Sequence, residues 1–129
     1  MTLPPEGRRA QGDAAEERAC RHLDRSGFTI VERNYRTKSG EIDIVARKGD
    51  VLVFVEVRSL EVPDFGTPEE SVTPAKRRRI VATAREYLSK VPPSSWREAR
   101  FDVIAIEGSG DVVELRHYPA AFDAKGKIL

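Results

Sequence analysis

The chain has 129 residues, of which 40% are hydrophobic and 33% are charged. This length and composition predict one globular domain with a well-charged surface and exclude two full domains. Lys and Arg total 22 against 21 Asp and Glu, so the net charge of +1 does not by itself indicate a nucleic-acid-binding protein. Any electrostatic footprint must therefore come from how the charges are distributed.

Cysteine usage and hydropathy indicate the compartment. Cys20 is the single cysteine, which excludes an internal disulfide and is typical of a reducing environment. No apolar run approaches the roughly 20 residues of a membrane-spanning helix, and the opening segment MTLPPEGRRAQG lacks the apolar region of a secretory signal. We therefore expect a cytoplasmic protein without membrane contact.

The first half of the chain predicts a helix and three strands. Residues 1–11 have no apolar periodicity and predict a flexible arm before a single domain over residues 12–129. Helical spacing runs from Asp13 to a C-cap at Gly27. The segment FTIVERNYR predicts a strand, and GEIDIVARKGDVLVFVEVRS predicts a β-hairpin whose turn is centred on Lys48-Gly49.

The second half predicts a helix and two strands. The segment SLEVPDFGTPEESV is typical of a loop. Thr73 and Pro74 are typical of an N-cap and a first helical position, and the helix extends to the breaker VPPSS. RFDVIAIE and VVELRHY predict a final strand pair. The predicted order is helix, strand, strand, strand, helix, strand, strand, which indicates an α/β domain with a single mixed sheet.

Acidic residues interrupt the apolar hairpin. Both faces of its second strand are apolar up to Val55, which predicts a buried central strand with Glu56 at its border. If Arg47 faces Asp50 across the ladder, Asp43 and Glu56 are diagonal neighbours about 7–8 Å apart. Their mutual repulsion would be relieved by a cation.

A third acid lies on the first helix. Glu16 falls on the apolar stripe that includes Leu23, so its side chain is expected to point toward the sheet. Three carboxylates are hard oxygen ligands that suit Mg²⁺ or Mn²⁺ better than zinc. The alternative is a structural role, in which Arg58 or Arg36 neutralises Glu56 through a salt bridge.

These motifs also resemble those of a known family. GEIDIVA and LVFVEVR, preceded by GDAAEERACRHLDRSGF and followed by FGTPEESVTPAKRRRI and RFDVIAI, closely resemble the YraN family of bacterial proteins. The resemblance extends from Gly12 to Phe122. It implies the restriction-endonuclease-like fold, with similarity to archaeal-type Holliday junction resolvases.

The resemblance implies a metal-dependent endonuclease. Asp43, Glu56 and Arg58 match the catalytic positions, and Glu16 joins Asp43 and Glu56 as a ligand to Mg²⁺ or Mn²⁺. Arg58 stands where the superfamily usually has Lys; since Arg does not lose its proton, it would stabilise charge without acting as a base.

The implied substrate is a nucleic acid, with DNA, including branched DNA, favoured over RNA. Symmetric cleavage of a branched junction would require a homodimer. The alternative function is a non-catalytic adaptor that binds nucleic acid or protein and retains the nuclease fold.

The second helix opens with a basic run, Lys76, Arg77, Arg78 and Arg79. One interpretation is contact with nucleic-acid phosphates. The alternative is a solvated helix face balanced by Glu69 and Glu70.

Four other reactive side chains receive no catalytic role from the sequence. Neither His22 nor His117 has a second His or Cys at ligand spacing, so neither predicts a zinc site. Cys20 is interpreted as a small core residue. Asp102 lies on the face of its strand opposite Phe101, at a position relative to the other acids that the sequence leaves open.

Overall fold

The computed structural model describes residues 5–60, 72–109 and 112–127. Helix α1 covers Pro5–Arg25, and strands β1, β2 and β3 cover Thr29–Thr37, Gly40–Lys48 and Val51–Leu60. Helix α2 (Pro74–Ser89) and a 3-10 turn (Pro93–Ser95) precede strands β4 (Glu98–Ser109) and β5 (Val112–Phe122). The predicted α/β class is confirmed over the described residues, which contain one mixed sheet and two α-helices. The 3-10 turn is an addition inside the predicted breaker VPPSS.

The start of α1 differs from the prediction. The sequence placed a flexible arm at residues 1–11 and began the helix near Asp13, whereas α1 begins at Pro5. Proline is compatible with a first helical turn, because the N–H that it lacks would have no partner there. Residues 1–4 and residues 61–71, which contain most of the predicted loop SLEVPDFGTPEESV, lie outside the described residues.

Strand β3 is the centre of the sheet. The strand order is β1-β2-β3-β4-β5. Strand β3 pairs antiparallel with β2 and parallel with β4, while the other pairs are antiparallel. A parallel pair requires a crossover connection, and α2 lies within the connection between β3 and β4. The sheet is therefore mixed because one helix returns the chain to the same direction.

The two helices cover opposite faces of β3. Ala19 and Leu23 of α1 belong to the same buried cluster as Val53. Ile80 of α2 belongs to the other buried cluster, together with Phe54. Burial of a large apolar side chain contributes about 1.5–3 kcal/mol, so both helices are fixed against this strand. The prediction that β3 is apolar on both faces because it is buried on both faces is confirmed.

The hairpin register is shifted from the predicted one. Arg47 pairs with Leu52 instead of Asp50, and Lys48 pairs with Val51. The turn is therefore Gly49-Asp50. Gly49 has a φ of +62°, which favours glycine at the first turn position. The shift moves the register by two residues, an even number, so each side chain keeps its predicted face of the sheet.

The sequence predicted that no segment would form a membrane-spanning helix. Within the described ranges, neither helix combines the length and apolar character that crossing a bilayer requires.

The turn makes a testable prediction. We expect Gly49→Ala to lower the free energy of unfolding by about 1 kcal/mol, because a Cβ is disfavoured at positive φ. A Cβ built at Gly49 would meet no atom within 4 Å, so this loss is a backbone effect. Urea unfolding provides the measurement.

Asp50→Ala is the matched control in the same turn. It removes only an exposed ion pair with Arg97, whose Nε lies 3.7 Å from Asp50 Oδ2, and such pairs contribute little. Equal losses for the two variants would contradict a backbone origin.

Candidate functional site

Asp43 and Glu56 meet at the open end of the β2–β3 hairpin. The regular ladder ends with Ile44 paired to Val55, and one further step in that register sets Asp43 opposite Glu56. Asp43 Oδ2 accepts a hydrogen bond from the backbone N–H of Val57 at 2.8 Å. The Glu56 side chain is 4% exposed. The two acids are thus direct cross-strand neighbours rather than the predicted diagonal pair.

The environment of this pair favours one shared proton. Burial, followed by the negative charge of Glu56, raises the pKa of Asp43 to about 7. The Val57 amide and the Lys76 ammonium oppose the rise without cancelling it. Two like charges held together away from water cannot both ionise freely. The pair can therefore hold or release a proton near neutral pH.

Lys76 supplies the positive charge at the pair. Its Nζ lies 2.8 Å from Glu56 Oε1. Thr73 caps α2 by accepting the Lys76 N–H at 3.2 Å, which fixes Lys76 in the first helical turn. The Lys76 side chain is 43% exposed, so the ammonium borders both the buried acid and solvent. The sequence assigned Lys76 to nucleic-acid contact and did not identify it as the partner of Glu56.

Arg36 and Arg58 were the two predicted partners of Glu56. Arg36 Nε instead approaches Glu41 Oε1 at 3.3 Å, and this pairing removes Arg36 as the counter-ion of Glu56. Arg58 lies two residues beyond Glu56, on the same face of β3, and is partly buried. The role of Arg58 in the site stays a prediction.

Glu16 lies near the pair but has its own partners. Arg33 Nη2 is 3.5 Å from Glu16 Oε2, and the Glu16 side chain is 12% exposed. The Asn34 amide nitrogen donates to the same oxygen at 3.3 Å. Burial, then the charge of Asp43, raises the pKa of Glu16, partly offset by Asn34 and Arg33. Glu16 therefore senses Asp43 electrostatically while Arg33 and Asn34 hold its carboxylate.

The backbone at Asn34 is strained. Its φ of +55° lies in the left-handed region, which Asn tolerates better than most residues. Strain of this kind concentrates at functional sites, where the surrounding structure imposes it. Asn34 and Arg33 are site residues that the sequence analysis missed, and the only local signal was an Asn within an otherwise regular strand pattern.

The donor set fits a divalent cation bound largely through two carboxylates. Within the described residues, no three His, Cys, Asp or Glu side chains are grouped closely enough to hold a metal ion as they stand. Asp43 and Glu56 nevertheless present adjacent hard oxygen donors. Mg²⁺ usually binds through one or two carboxylates, with water and substrate phosphates completing its shell. Glu16 would join them only by releasing Arg33.

The basic run at the start of α2 points in several directions. Arg77 is buried and donates from Nε to the Gly126 carbonyl at 2.6 Å, and from Nη1 to the Val72 carbonyl. Its predicted phosphate contact is therefore wrong, because its guanidinium ties α2 to neighbouring backbone. Arg78 and Arg79 are exposed. Glu69 and Glu70, the acids proposed to balance the run, lie outside the described residues.

The raised pKa of Asp43 predicts how stability depends on pH. The folded pKa of about 7 lies above the usual value near 4, so the folded state binds more protons between these values. Stability is therefore lost as the pH rises from about 4 to about 7. Asp43→Asn keeps an acceptor for Val57 but cannot ionise. We expect it to exceed the parent in stability at pH 8 by on the order of 1–3 kcal/mol, with no gain near pH 4, in urea unfolding.

Glu41→Gln is the control on the same strand. Glu41 is 37% exposed and paired with Arg36, so the substitution should have the same small effect at pH 5 and pH 8. If Asp43→Asn were less stable than the parent at pH 8, the ionised Asp43 would be stabilising, and the shared proton would be excluded.

Known proteins match this chain over the range that contains the site residues. The sequence matches the uncharacterised protein family UPF0102 over residues 15–106, a range that contains Glu16, Asp43 and Glu56. A UPF0102 protein of Anaeromyxobacter dehalogenans is 44% identical over 123 residues, covering 95% of this chain and 90% of the relative. A UPF0102 protein of Cupriavidus taiwanensis is 51% identical over 122 residues, covering 91% and 86%. The chain belongs to the UPF0102 family, the YraN family that its hairpin motif indicated.

Proposed function

We propose that the protein is a metal-dependent endonuclease that hydrolyses phosphodiester bonds in DNA, on a restriction-endonuclease-like fold. The observation that supports this most directly is the Asp43–Glu56 pair, where burial and mutual repulsion raise the pKa of Asp43 to about 7. Strongly perturbed acids beside a specific charge partner are concentrated at catalytic sites. Branched DNA is the substrate class that the family resemblance favours.

Asp43 and Glu56 are the proposed ligands of Mg²⁺ or Mn²⁺. The cation would lower the pKa of an attacking water and neutralise charge on the scissile phosphate. Glu16 is the further ligand, and its use requires Arg33 to turn away from it. Arg33 would keep its contact with Glu17, whose Oε2 lies 3.1 Å from Arg33 Nη1.

Arg58 and Lys76 have different roles in this proposal, one in charge stabilisation and the other in proton transfer. Arg58 stabilises negative charge that develops on the phosphate, since its guanidinium keeps its proton. Lys76, 2.8 Å from Glu56, provides the ammonium that the usual Lys of the motif would supply. Unlike Arg58, an amine can donate and accept a proton, so Lys76 is the general acid or base candidate.

A non-catalytic adaptor is the second candidate function. Lys76 on Glu56 and Arg33 on Glu16 neutralise two of the acids with protein groups alone. A site neutralised in this way is stable without a cation. The acids would then position basic side chains for nucleic-acid or protein binding, with no reaction.

The cellular setting belongs to the same proposal. A reducing cytoplasm suits Cys20, which is free and buried. Symmetric cleavage of branched DNA would need a homodimer. Strand β5 ends the sheet, and its first residue Val112 is 83% exposed; an open strand edge of this kind is a surface for pairing with a second copy.

Metal binding is the first test. We expect the melting temperature of the parent to rise with MnCl₂ or MgCl₂, since a cation that binds only the folded state at about 100 times its Kd adds roughly 2.7 kcal/mol. Asp43→Asn should abolish the rise, while the control Glu41→Gln should retain it. No rise for the parent with either cation would contradict the metal site.

Cleavage separates the enzyme from the adaptor. With Mn²⁺ and labelled branched, duplex and single-stranded DNA, we expect the parent to cut at least one form. Lys76→Met should lower the rate on the order of 10²-fold, the usual effect of losing a general acid or base. A cation-dependent melt without any cleavage would favour the adaptor.

The exposed part of the basic run makes a separate prediction. If Arg78 and Arg79 contact phosphates, replacing both with Ala should flatten the log–log salt dependence of DNA binding by about 0.9 for each lost contact. The control Arg97→Ala/Arg116→Ala removes the same charge from other exposed positions and should leave the slope nearer to that of the parent. Equal slopes for both double variants would assign Arg78 and Arg79 to a solvated face.

A further inference from the structure

A basic pocket lies between α1 and the edge strand β5. Its volume is about 390 Å³, and its polar lining is Arg18, Arg21, His22 and Arg25 from α1, with His117 from β5. Leu115 adds an apolar wall. Arg18, His22 and Arg25 are spaced four and three residues apart, so they share one face of the helix. The pocket belongs to the opposite side of the sheet from α2 and Lys76.

The charge in this pocket is strongly one-sided. In the part of the chain that the structure describes, the side chains lining the pocket include three guanidiniums and two imidazoles and no carboxylate. Arg21 also approaches Glu17 at 3.4 Å, in an exposed pair that contributes little. On a flat helix face such side chains would be solvated separately, whereas around a concave pocket they can contact the same bound anion.

A hydrogen-bonded chain runs from this pocket into the core. His22 Nε2 lies 3.0 Å from His117 Nδ1, and His117 Nε2 lies 2.7 Å from Asp102 Oδ2. Asp102 is fully buried. Arg100 binds both oxygens of Asp102 at 2.9 Å, and the Ala120 N–H donates to Oδ1 at 2.9 Å. The sequence placed these groups on three separate elements, and the fold connects them.

The ionised Asp102 determines which atom donates in each hydrogen bond between His22, His117 and Asp102. Burial acts to raise the pKa of Asp102, but hydrogen bonds from His117 and Arg100 outweigh it and hold the pKa below its usual value. A carboxylate only accepts, so His117 Nε2 carries the hydrogen. In the neutral pair, His117 Nδ1 is then an acceptor and His22 Nε2–H is its donor. One more proton makes the His22–His117 pair a cation at the pocket wall.

His22 is poised to respond to an anion. Burial, then the neighbouring His117 and the charge of Arg25, lower the pKa of His22. An anion held by Arg18, Arg21 and Arg25 would offset those positive charges and favour the protonated imidazole. Binding of the anion and uptake of a proton are therefore linked, and affinity should rise as the pH falls.

We propose that this pocket binds a phosphate group through Arg18, Arg21 and Arg25, with His22 as a proton-linked donor backed by His117 and Asp102. Guanidinium groups match the geometry of phosphate oxygens and keep their charge at every physiological pH. The pocket shares no residue with the Asp43–Glu56 pair, so the inference does not depend on cleavage. Six positions separate Glu16 from His22, about 9 Å along the helix axis, so a nucleic-acid backbone at the acidic site could extend to this pocket. The phosphate group could therefore belong either to a nucleic-acid backbone or to a small phosphate ligand.

Titration calorimetry with sulfate tests the pocket itself. Sulfate is a tetrahedral anion whose charge does not change between pH 6 and pH 8, so any pH dependence belongs to the protein. We expect the parent to bind sulfate about tenfold more tightly at pH 6 than at pH 8, with proton uptake on binding. Arg18→Gln/Arg25→Gln should weaken binding about tenfold or more. The control Arg97→Gln/Arg116→Gln removes equal charge outside the pocket and should stay within about twofold of the parent.

His22→Gln tests the proton link. Glutamine keeps an N–H donor for His117 but does not titrate, so the variant should lose most of the pH dependence of sulfate binding. Melting without anion checks that each variant is folded. Absence of sulfate binding, equal weakening in the two double variants, or an unchanged pH dependence in His22→Gln would each overturn the proposal.

A short single-stranded DNA oligonucleotide identifies the source of the phosphate. If the pocket variant weakens binding of the oligonucleotide as well as sulfate, the pocket holds nucleic-acid backbone. If it weakens sulfate binding alone, the pocket holds a small phosphate ligand. Both outcomes support the phosphate site, and neither requires cleavage activity.

Discussion

The structure depends on strand β3, which is buried on both faces as far as its first charged residue, Glu56. Leu52 to Val55 are at most 1% exposed, and Glu56 continues the same strand at 4%. A strand in this position holds its backbone rigidly, because both helices pack on it. The carboxylate that follows the apolar run therefore cannot move out to solvent, and its charge must be balanced where it lies.

This constraint organises the charges around it. Asp43 comes opposite Glu56 because the hairpin continues beyond its last apolar pair, and the two acids then compete for ionisation. Lys76 balances Glu56 from the first turn of α2, and Arg33 balances Glu16 from β1. Each basic residue arrives from a different element. The acids thus share one location, while the groups that neutralise them come independently from α2 and β1.

Helix α1 connects two chemically different regions. Its face toward the sheet is small and apolar at Ala15 and Ala19, which allows the close approach that brings Glu16 near Asp43. Farther along the same helix, His22 meets His117 in an edge-to-face contact with ring centroids 5.1 Å apart. A displacement of α1 would therefore affect the acidic pair and the basic pocket together.

The sequence alone was sufficient for the mixed α/β class, the central position of β3 and the face of each hairpin acid. These follow from local rules: the period of two in strands, the Thr73-Pro74 cap and the double-faced apolar run. The two-residue error in the register did no harm to the faces, because an even shift preserves the alternation. The motif also indicated the family.

Only the tertiary structure decided which charges meet. Arg77 and Lys76 are adjacent in a run of four basic residues, yet one is buried on backbone carbonyls and the other contacts Glu56. Helical periodicity separates their directions, but what lies in each direction depends on packing. The same is true of His22, His117 and Asp102, which are distant in sequence and become a continuous chain when α1, β4 and β5 assemble. Long-range contacts of this kind leave no periodic pattern, because each partner satisfies only the local rule of its own element.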